Sequence, residues 1–354
     1  MNDYFCVLPF FGYEYYSNNT GSHCCLLPKN YNIDRLRKDM LDGRRSEYCT
    51  ACWKLEDAGI TSDRKLKNSA LDFYWNRDIQ SIKKDASNGN YSPILIKHET
   101  SNKCNSTCVT CGPSASTAWS KLGKKINIIP TPATKISYSD IDKLKFSKLI
   151  GINFVGGEPL YEKANFYILE KLLEHNNTNC FIQITTNGSV ALSDKNKKIL
   201  NNFKKINFNV SIDGVGPVFE YLRYPLKWNI LLSNLEFFKS ITNIVSVSYT
   251  VSNLNVLYHH DTINWFKSQN LDFHVNPVVY PTHFRPQALP LLIKKEILDK
   301  SIESSNLEIL LDIDQHSAKD DEDFSKMLSI IKQQDDAKGI SIQNYLPEFW
   351  NLIS

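Results

Sequence analysis

The chain has 354 residues, of which 42% are hydrophobic, 12% aromatic and 22% charged. That length suits about two domains or one larger barrel, and the composition excludes a disordered, collagen-like or low-complexity protein. Lys and Arg number 41 against 38 Asp and Glu, a formal net charge of +3, which argues against a strongly basic nucleic-acid scaffold.

No uncharged apolar run approaches the roughly 18 residues of a membrane span. The opening MNDYFCVLPFFGYEYY lacks the basic region and small-residue cleavage site of a signal peptide. The expected location is therefore cytoplasmic. The 9 cysteines are Cys6, Cys24, Cys25, Cys49, Cys52, Cys104, Cys108, Cys111 and Cys180. An odd number without a secretion signal is a poor disulfide framework, whereas crowding into the first third of the chain points to metal or iron–sulfur ligation.

Residues 1–75 mix aromatics, Asn and Gly with five of the cysteines and show weak periodicity, which predicts an irregular segment. It needs a metal centre or a host domain to order it. Residues 76–92 predict a helix and then a loop, broken by Pro93. From residue 94 the pattern becomes regular. Apolar runs at 94–96, 149–155, 180–185, 206–212, 243–251 and 272–279 predict strands, and each ends in Gly or polar residues. Segments with helical periodicity lie between them, such as 166–175 and 228–240. Six strand–helix repeats predict an α/β protein with a parallel sheet, whose site lies at the carboxyl ends of the strands. Residues 316–338 predict a charged helix.

The loop after the first of these strands reads Cys104-x3-Cys108-x2-Cys111. Three thiolates so spaced can ligate three corners of a cubane iron–sulfur cluster, leaving the fourth iron open, as a working centre requires. A structural zinc site or a set of buried thiols is the blander alternative. Gly156-Gly157-Glu158-Pro159 ends the second strand, and paired glycines admit a ligand close to the backbone. Thr185, Thr186 and Asn187 end the third strand; Ser211 and Asp213 end the fourth, with Arg223 following. Such hydroxyls suit a ribose or a carboxylate, and a guanidinium pairs with a carboxylate in two-pronged fashion. Asn253, His274, Asn276 and Tyr280 sit at later strand ends. Cys180 reads as a core residue.

CNSTCVTC resembles the cysteine signature of the radical S-adenosylmethionine (SAM) superfamily, with Thr110 where an apolar or aromatic residue is usual. GGEP, ITTNG and SIDG resemble companion segments of its SPASM/twitch maturases. The resemblance implies a partial (β/α)6 TIM-like barrel at 93–290, with a small cysteine-rich module at 1–92 and a helical extension at 291–354. It implies a [4Fe–4S] cluster on Cys104, Cys108 and Cys111 that cleaves SAM to a 5′-deoxyadenosyl radical, which abstracts hydrogen from a substrate. SAM contacts would fall on Gly156, Gly157, Glu158, Thr186, Ser211 and Arg223.

The N-terminal FCVLPFF, CC and CTACWKLEDAGITSDR resemble the start of twitch-domain radical SAM proteins, matching Glu56, Gly59, Ser62 and Arg64. That implies an auxiliary [4Fe–4S] cluster on Cys6, Cys25, Cys49 and Cys52, with Cys25 preferred over Cys24. Zinc in the same cysteines, or no metal, are the alternatives. The implied activity is an oxidoreductase-type modification of a peptide, with an electron donor such as a flavodoxin or ferredoxin. Oxidation or epimerisation of a small molecule, and a non-catalytic SAM-binding partner protein, are the competing functions.

Overall fold

The computed structural model describes residues 4–18, 20–59, 61–71, 77–242, 244–299 and 305–354. Asn76 and Asn243, the first residues of an expected helix and an expected strand, lie outside them. The chain forms two compact units. Unit 1 comprises Met1–Ser101, Thr134–Ile184 and Ser193–Ile206, and unit 2 comprises Asn102–Ala133, Thr185–Leu192 and Asn207–Ser354. The sequence-based grouping into 1–92, 93–290 and 291–354 follows the chain, whereas these units follow contact in space.

In unit 1, β1 (Gly12–Tyr15) pairs antiparallel with β2 (Gly21–Ser22) and parallel with β3 (Leu95–Glu99). β4 (Gly151–Val155) and β5 (Phe181–Thr186) continue the parallel order. In unit 2, β6 (Ile206–Ser211), β7 (Ile244–Val251) and β8 (Asp272–Pro277) pair in parallel. Helices Lys163–Glu174, Asp194–Leu200, Trp228–Ile241 and His259–Ser268 fall between consecutive strands. The six runs predicted as strands thus become β3 to β8, and the α/β class with parallel strands holds.

Two expectations change. The first segment is not irregular. It contributes β1 in register with β3, and helices Ile33–Leu41, Thr50–Asp57 and Asp63–Ser69, while the helix expected within 76–92 is Ile79–Ser87. Asn32, Ser62 and Asp78 cap three of these helices by accepting from backbone N–H groups. Leu36, Met40 and Ile82 of these helices are buried in one core with Phe5, Phe10 and Ile94. β1 escaped the pattern because its four residues are too few to establish the two-residue period. Second, the strands are not apolar throughout. Burial alternates along β3, β5, β6 and β7. Ile96, Ile152, Ile182, Val210 and Val247 are buried, while Lys97, Asn153, Gln183, Asn209 and Ser246 occupy the opposite face.

His98 on β3 is buried and bonds through Nδ1 to Thr100 Oγ1 at 3.0 Å. The Thr100 hydroxyl donates to Asn165 Oδ1, so it accepts from the His98 Nδ1–H. Burial lowers the His98 pKa from 6.5 to about 4. A histidine held neutral by folding contributes stability that is complete above pH 6.5 and is lost as the pH falls from about 6.5 toward 4. The urea midpoint is therefore expected to fall between pH 7 and pH 5, and to fall less in His98→Asn. A midpoint equally sensitive in that variant would remove His98 as a cause.

Candidate functional site

The cysteine loop belongs to unit 2 and is closed by main-chain bonds. The amide of Thr107 donates to the Tyr224 carbonyl at 2.6 Å, that of Val109 to the Leu222 carbonyl at 2.8 Å, and that of Cys111 to the Cys108 carbonyl at 3.0 Å. The Ser106 hydroxyl lies 3.2 Å from Cys104 Sγ and 3.4 Å from Cys108 Sγ, so it links two of the three sulfurs. Trp119, buried on helix Thr117–Gly123, donates its indole N–H to the Cys108 carbonyl at 2.8 Å. Burial raises the pKa of Cys108, and raises that of Cys111 to about 12. Ligation must therefore supply the energy that removes these protons.

Strand-end residues of unit 2 surround the loop. The Asn187 amide reaches Asn105 Oδ1 at 2.9 Å and Cys104 Sγ at 3.9 Å. Thr186 is buried, and its Oγ1 accepts from the Gly188 amide at 3.1 Å. Ser211 ends β6, beside Asp213. Arg223 pairs with Asp213 at 2.8 Å, both side chains nearly buried, and its Nε is buried without a partner. Asp213 also accepts from the Thr250 amide at 2.9 Å, and its backbone carbonyl accepts from Asn255 Nδ2 at 2.7 Å. The charge of Arg223 reaches Cys108 and Cys111 and favours their thiolates. Asn253 is held by the His283 and Phe284 main chain, with its Oδ1 buried and unpaired.

Gly156, Gly157 and Glu158 lie in unit 1. Gly156 has φ +114°, and a Cβ there would stand 2.6 Å from the Ser101 carbonyl oxygen. The Gly157 amide donates to that same oxygen at 2.9 Å. Only glycine permits this close approach to the strand end that leads into the cysteine loop. Glu158 is buried and caps the turn Pro159–Tyr161 by accepting from the Leu160 amide.

The N-terminal cysteines separate into two places. Cys6, Cys24, Cys49 and Cys52 line one narrow cavity with Arg64. Cys25 lines a neighbouring cavity, and its amide donates to Glu14 Oε1 at 3.2 Å. Burial pushes Cys6 and Cys49 up to about 12 and raises Cys52. A hydrogen bond to Cys24 lowers Cys25 to about 7 and raises Cys24. Glu56 takes two bonds from Arg64, at 2.9 and 2.7 Å, and one from the Ser62 hydroxyl at 2.5 Å. Glu56, Ser62 and Arg64 therefore form one bonded group behind the cavity. Among the described residues no three Cys, His, Asp or Glu side chains converge as for a single metal ion.

The charged helix expected at 316–338 is Ala318–Lys338, but its contact with the cysteine loop, like the roles of Ser106 and Trp119, is not signalled by the sequence. Gln334 donates to the Val109 carbonyl at 3.4 Å, and Lys338 Nζ sits 5.8 Å above the Trp119 ring and 5.7 Å above that of Tyr224. Burial lowers Lys338 to about 8. Nothing in a charged helix more than 200 residues downstream signals such a contact.

No protein-family model and no curated protein matches the chain. Among solved structures it is similar to native anSMEcpe with bound AdoMet, at 16% identity over 58% of this chain and 59% of that one, with a TM-score of 0.41. Streptococcus suis SuiB bound to S-adenosylmethionine aligns at 16% identity, 71% of this chain, 56% of that one and a TM-score of 0.42. The same protein bound to its precursor peptide SuiA gives 13%, 73%, 58% and 0.40. Each likeness spans less than two thirds of the other chain.

Removing Arg223 strands a buried carboxylate. Arg223→Met is expected to lower stability in urea denaturation by roughly 3–5 kcal/mol, and the double change with Asp213→Asn to recover part of that loss. Additive losses would mean the pair is not coupled.

Proposed function

We propose that the protein is a radical SAM enzyme carrying a [4Fe–4S] cluster on Cys104, Cys108 and Cys111 and acting on a peptide. One observation carries this reading. Three thiols sit on a loop closed by main-chain bonds, and two of them, Cys108 and Cys111, lie within reach of the charge of a buried guanidinium whose Nε has no partner. Soft thiolates suit iron–sulfur ligation, and a buried cation with a free donor suits an anionic ligand beside it. No helix among the described residues is long and apolar enough to cross a membrane.

When bound, the cluster supplies the electron that cleaves SAM to methionine and a 5′-deoxyadenosyl radical. This chain's residues bind and orient. Arg223 Nε and the Ser211 hydroxyl are assigned to the methionine carboxylate. Thr186 is assigned to the ribose, and Gly156, Gly157 and Glu158 to the amino group. Trp119, Gln334 and Lys338 back the loop against water. The likeness of ITTNG and SIDG to peptide maturases supports a peptide substrate, an oxidative outcome and a flavodoxin- or ferredoxin-type donor.

A second cluster, or zinc, is assigned to Cys6, Cys24, Cys49 and Cys52. Their shared cavity supports this set, and Arg64 favours the thiolates of Cys6 and Cys49. Cys25, in the adjoining cavity, takes no part in this assignment.

Anaerobic reconstitution is expected to give about eight irons per chain, and about four after Cys104, Cys108 and Cys111 are changed to Ala. Changing Cys6, Cys24, Cys49 and Cys52 to Ala should likewise leave about four. Adding SAM should alter the electron paramagnetic resonance signal of the second variant and not of the first. Iron unaffected by the first triple change would sink the radical SAM reading. A total of about four that falls to none would leave it intact and remove the auxiliary cluster.

A further inference from the structure

β8 is the last strand of unit 2, and among the described strands it pairs with β7 alone. The Val278 amide, just past the strand, donates to the Val251 carbonyl at 2.8 Å. Backbone groups alternate in direction along a strand, so those of Asn276 and His274 also face β7. Those of Val275 and Phe273 face away. Among the described residues neither makes a main-chain bond outside the sheet. Pro277, which has no amide proton, falls on the same open side, where the missing donor costs no ladder bond. An unpaired strand edge selects an extended polypeptide, since only another backbone repeats donors and acceptors at that spacing.

The two faces beside this edge differ. Phe273, Val275 and Pro277 share one face of β8 and line a cavity of about 480 Å³. Leu307 and Leu310 of helix Ser305–Leu311 add to its apolar lining. His260, Ile263, Asn264 and Lys267 form one face of helix His259–Ser268, at i, i+3, i+4 and i+7, and all four line the cavity. No carboxylate is among the described residues that line it, so its one permanent charge is the Lys267 ammonium. Val275, Ile309, Val279 and Tyr280 are exposed around it or just beyond the strand, and clustered apolar exposure marks a surface that is covered in use. The opposite face leads to the site already described. His274 is the register partner of Ser248, and Ser248 of Ser211. One row thus runs from the residue assigned to the methionine carboxylate out to the open strand.

We propose that an extended segment of the substrate peptide adds to the open edge of β8, with apolar side chains and a carboxylate in the Lys267 cavity. Its alternate side chains then lie along the row of His274, Ser248 and Ser211. The inference rests on the peptide reading above and adds where the peptide is held and what residues it carries. A second copy of this chain is the poorer occupant. Six residues at about 3.3 Å each span roughly 20 Å, and two such strands bury far less than the ~800 Å² per partner of a stable dimer.

The test is fluorescence anisotropy with the full chain and fluorescein-labelled Thr-Leu-Thr-Glu-Thr-Leu amide as the probe. Two analogues carry N-methyl groups, one on the Leu and Glu residues and the other on the Thr residues. Strand addition uses the amides of alternate residues, so one analogue is expected to bind at least tenfold more weakly and the other to bind as before. Val275→Pro removes a free amide from the edge and should weaken binding about tenfold. That amide makes no ladder bond, so the thermal midpoint should hold. Lys267 is exposed, and Lys267→Glu should shift the preference to the probe with Lys in place of Glu. This second variant carries the test if Val275→Pro lowers the midpoint. No binding, equal loss with both analogues, or binding unchanged by both variants would each overturn the proposal. A wild-type dimer in sedimentation velocity that Val275→Pro dissolves would assign the edge to a second copy instead. The Cys104, Cys108 and Cys111 to Ala variant should bind the probe as the wild type does. The outcome is therefore separate from the iron counts that test the radical SAM reading.

Discussion

The two-residue side-chain period of the parallel strands is the constraint from which the rest follows. In unit 1 it sends Ile96, Ile152, Phe154 and Ile182 to the buried side and Lys97, Asn153 and Gln183 to the other. In unit 2 it separates Phe208, Val210, Val247 and Tyr249 from Asn207, Asn209, Ser246 and Ser248 in the same way. A slip of one residue would exchange the two sets and put Lys97 among the aliphatic side chains. The desolvation of an unpaired ammonium forbids that register. The hydroxyls and amides of the polar face therefore have a fixed direction before any ligand is considered.

Both cysteine groups share a second arrangement. Each lies beside a buried arginine that is itself paired with a carboxylate: Arg223 with Asp213 at 2.8 Å, and Arg64 with Glu56 at 2.7 Å. Burial raises the pKa of Cys108 and Cys111 in one group and of Cys6, Cys49 and Cys52 in the other, since a thiolate loses hydration there. The guanidinium offsets part of that cost, and the carboxylate keeps the guanidinium in place. The arrangement suits sites where several thiolates must coexist. It also explains why Cys25, which is exposed and held by Cys24 and Glu14 instead, behaves differently from its neighbours.

The C-terminal helix joins this picture from a distance. Asp335 accepts from the Tyr221 hydroxyl at 3.0 Å and the Ile342 amide at 2.7 Å, which anchors the helix to the segment carrying Arg223. Gln334 and Lys338 then face the cysteine loop and the Trp119 ring. Within unit 2 the loop is thus supported by Leu222 and Tyr224 and by the C-terminal helix.

Six strands, their order of appearance, the helices between them and the cysteine loop were legible in the sequence, because each is written in residues a few positions apart. The same is true of the Gly156-Gly157 turn, whose meaning lies in the absence of two side chains. β1 was not legible, since its four residues are too few to establish a period. That Cys24 and not Cys25 lines the cavity with Cys6, Cys49 and Cys52 was not legible either, because the two are neighbours in sequence and only the packing separates them. Arg223 was legible as a cation but not as the partner of Asp213. Lys338 and Trp119 were not legible as a pair, and the open edge of β8 was not legible at all. Such features depend on strand register and helix docking, which come from the burial of the whole apolar face. The sequence by itself determined which short segments form strands and where three thiols cluster. Tertiary structure alone decided which distant side chains meet them, because long-range contacts are selected by the summed packing of the core and not by any local pattern.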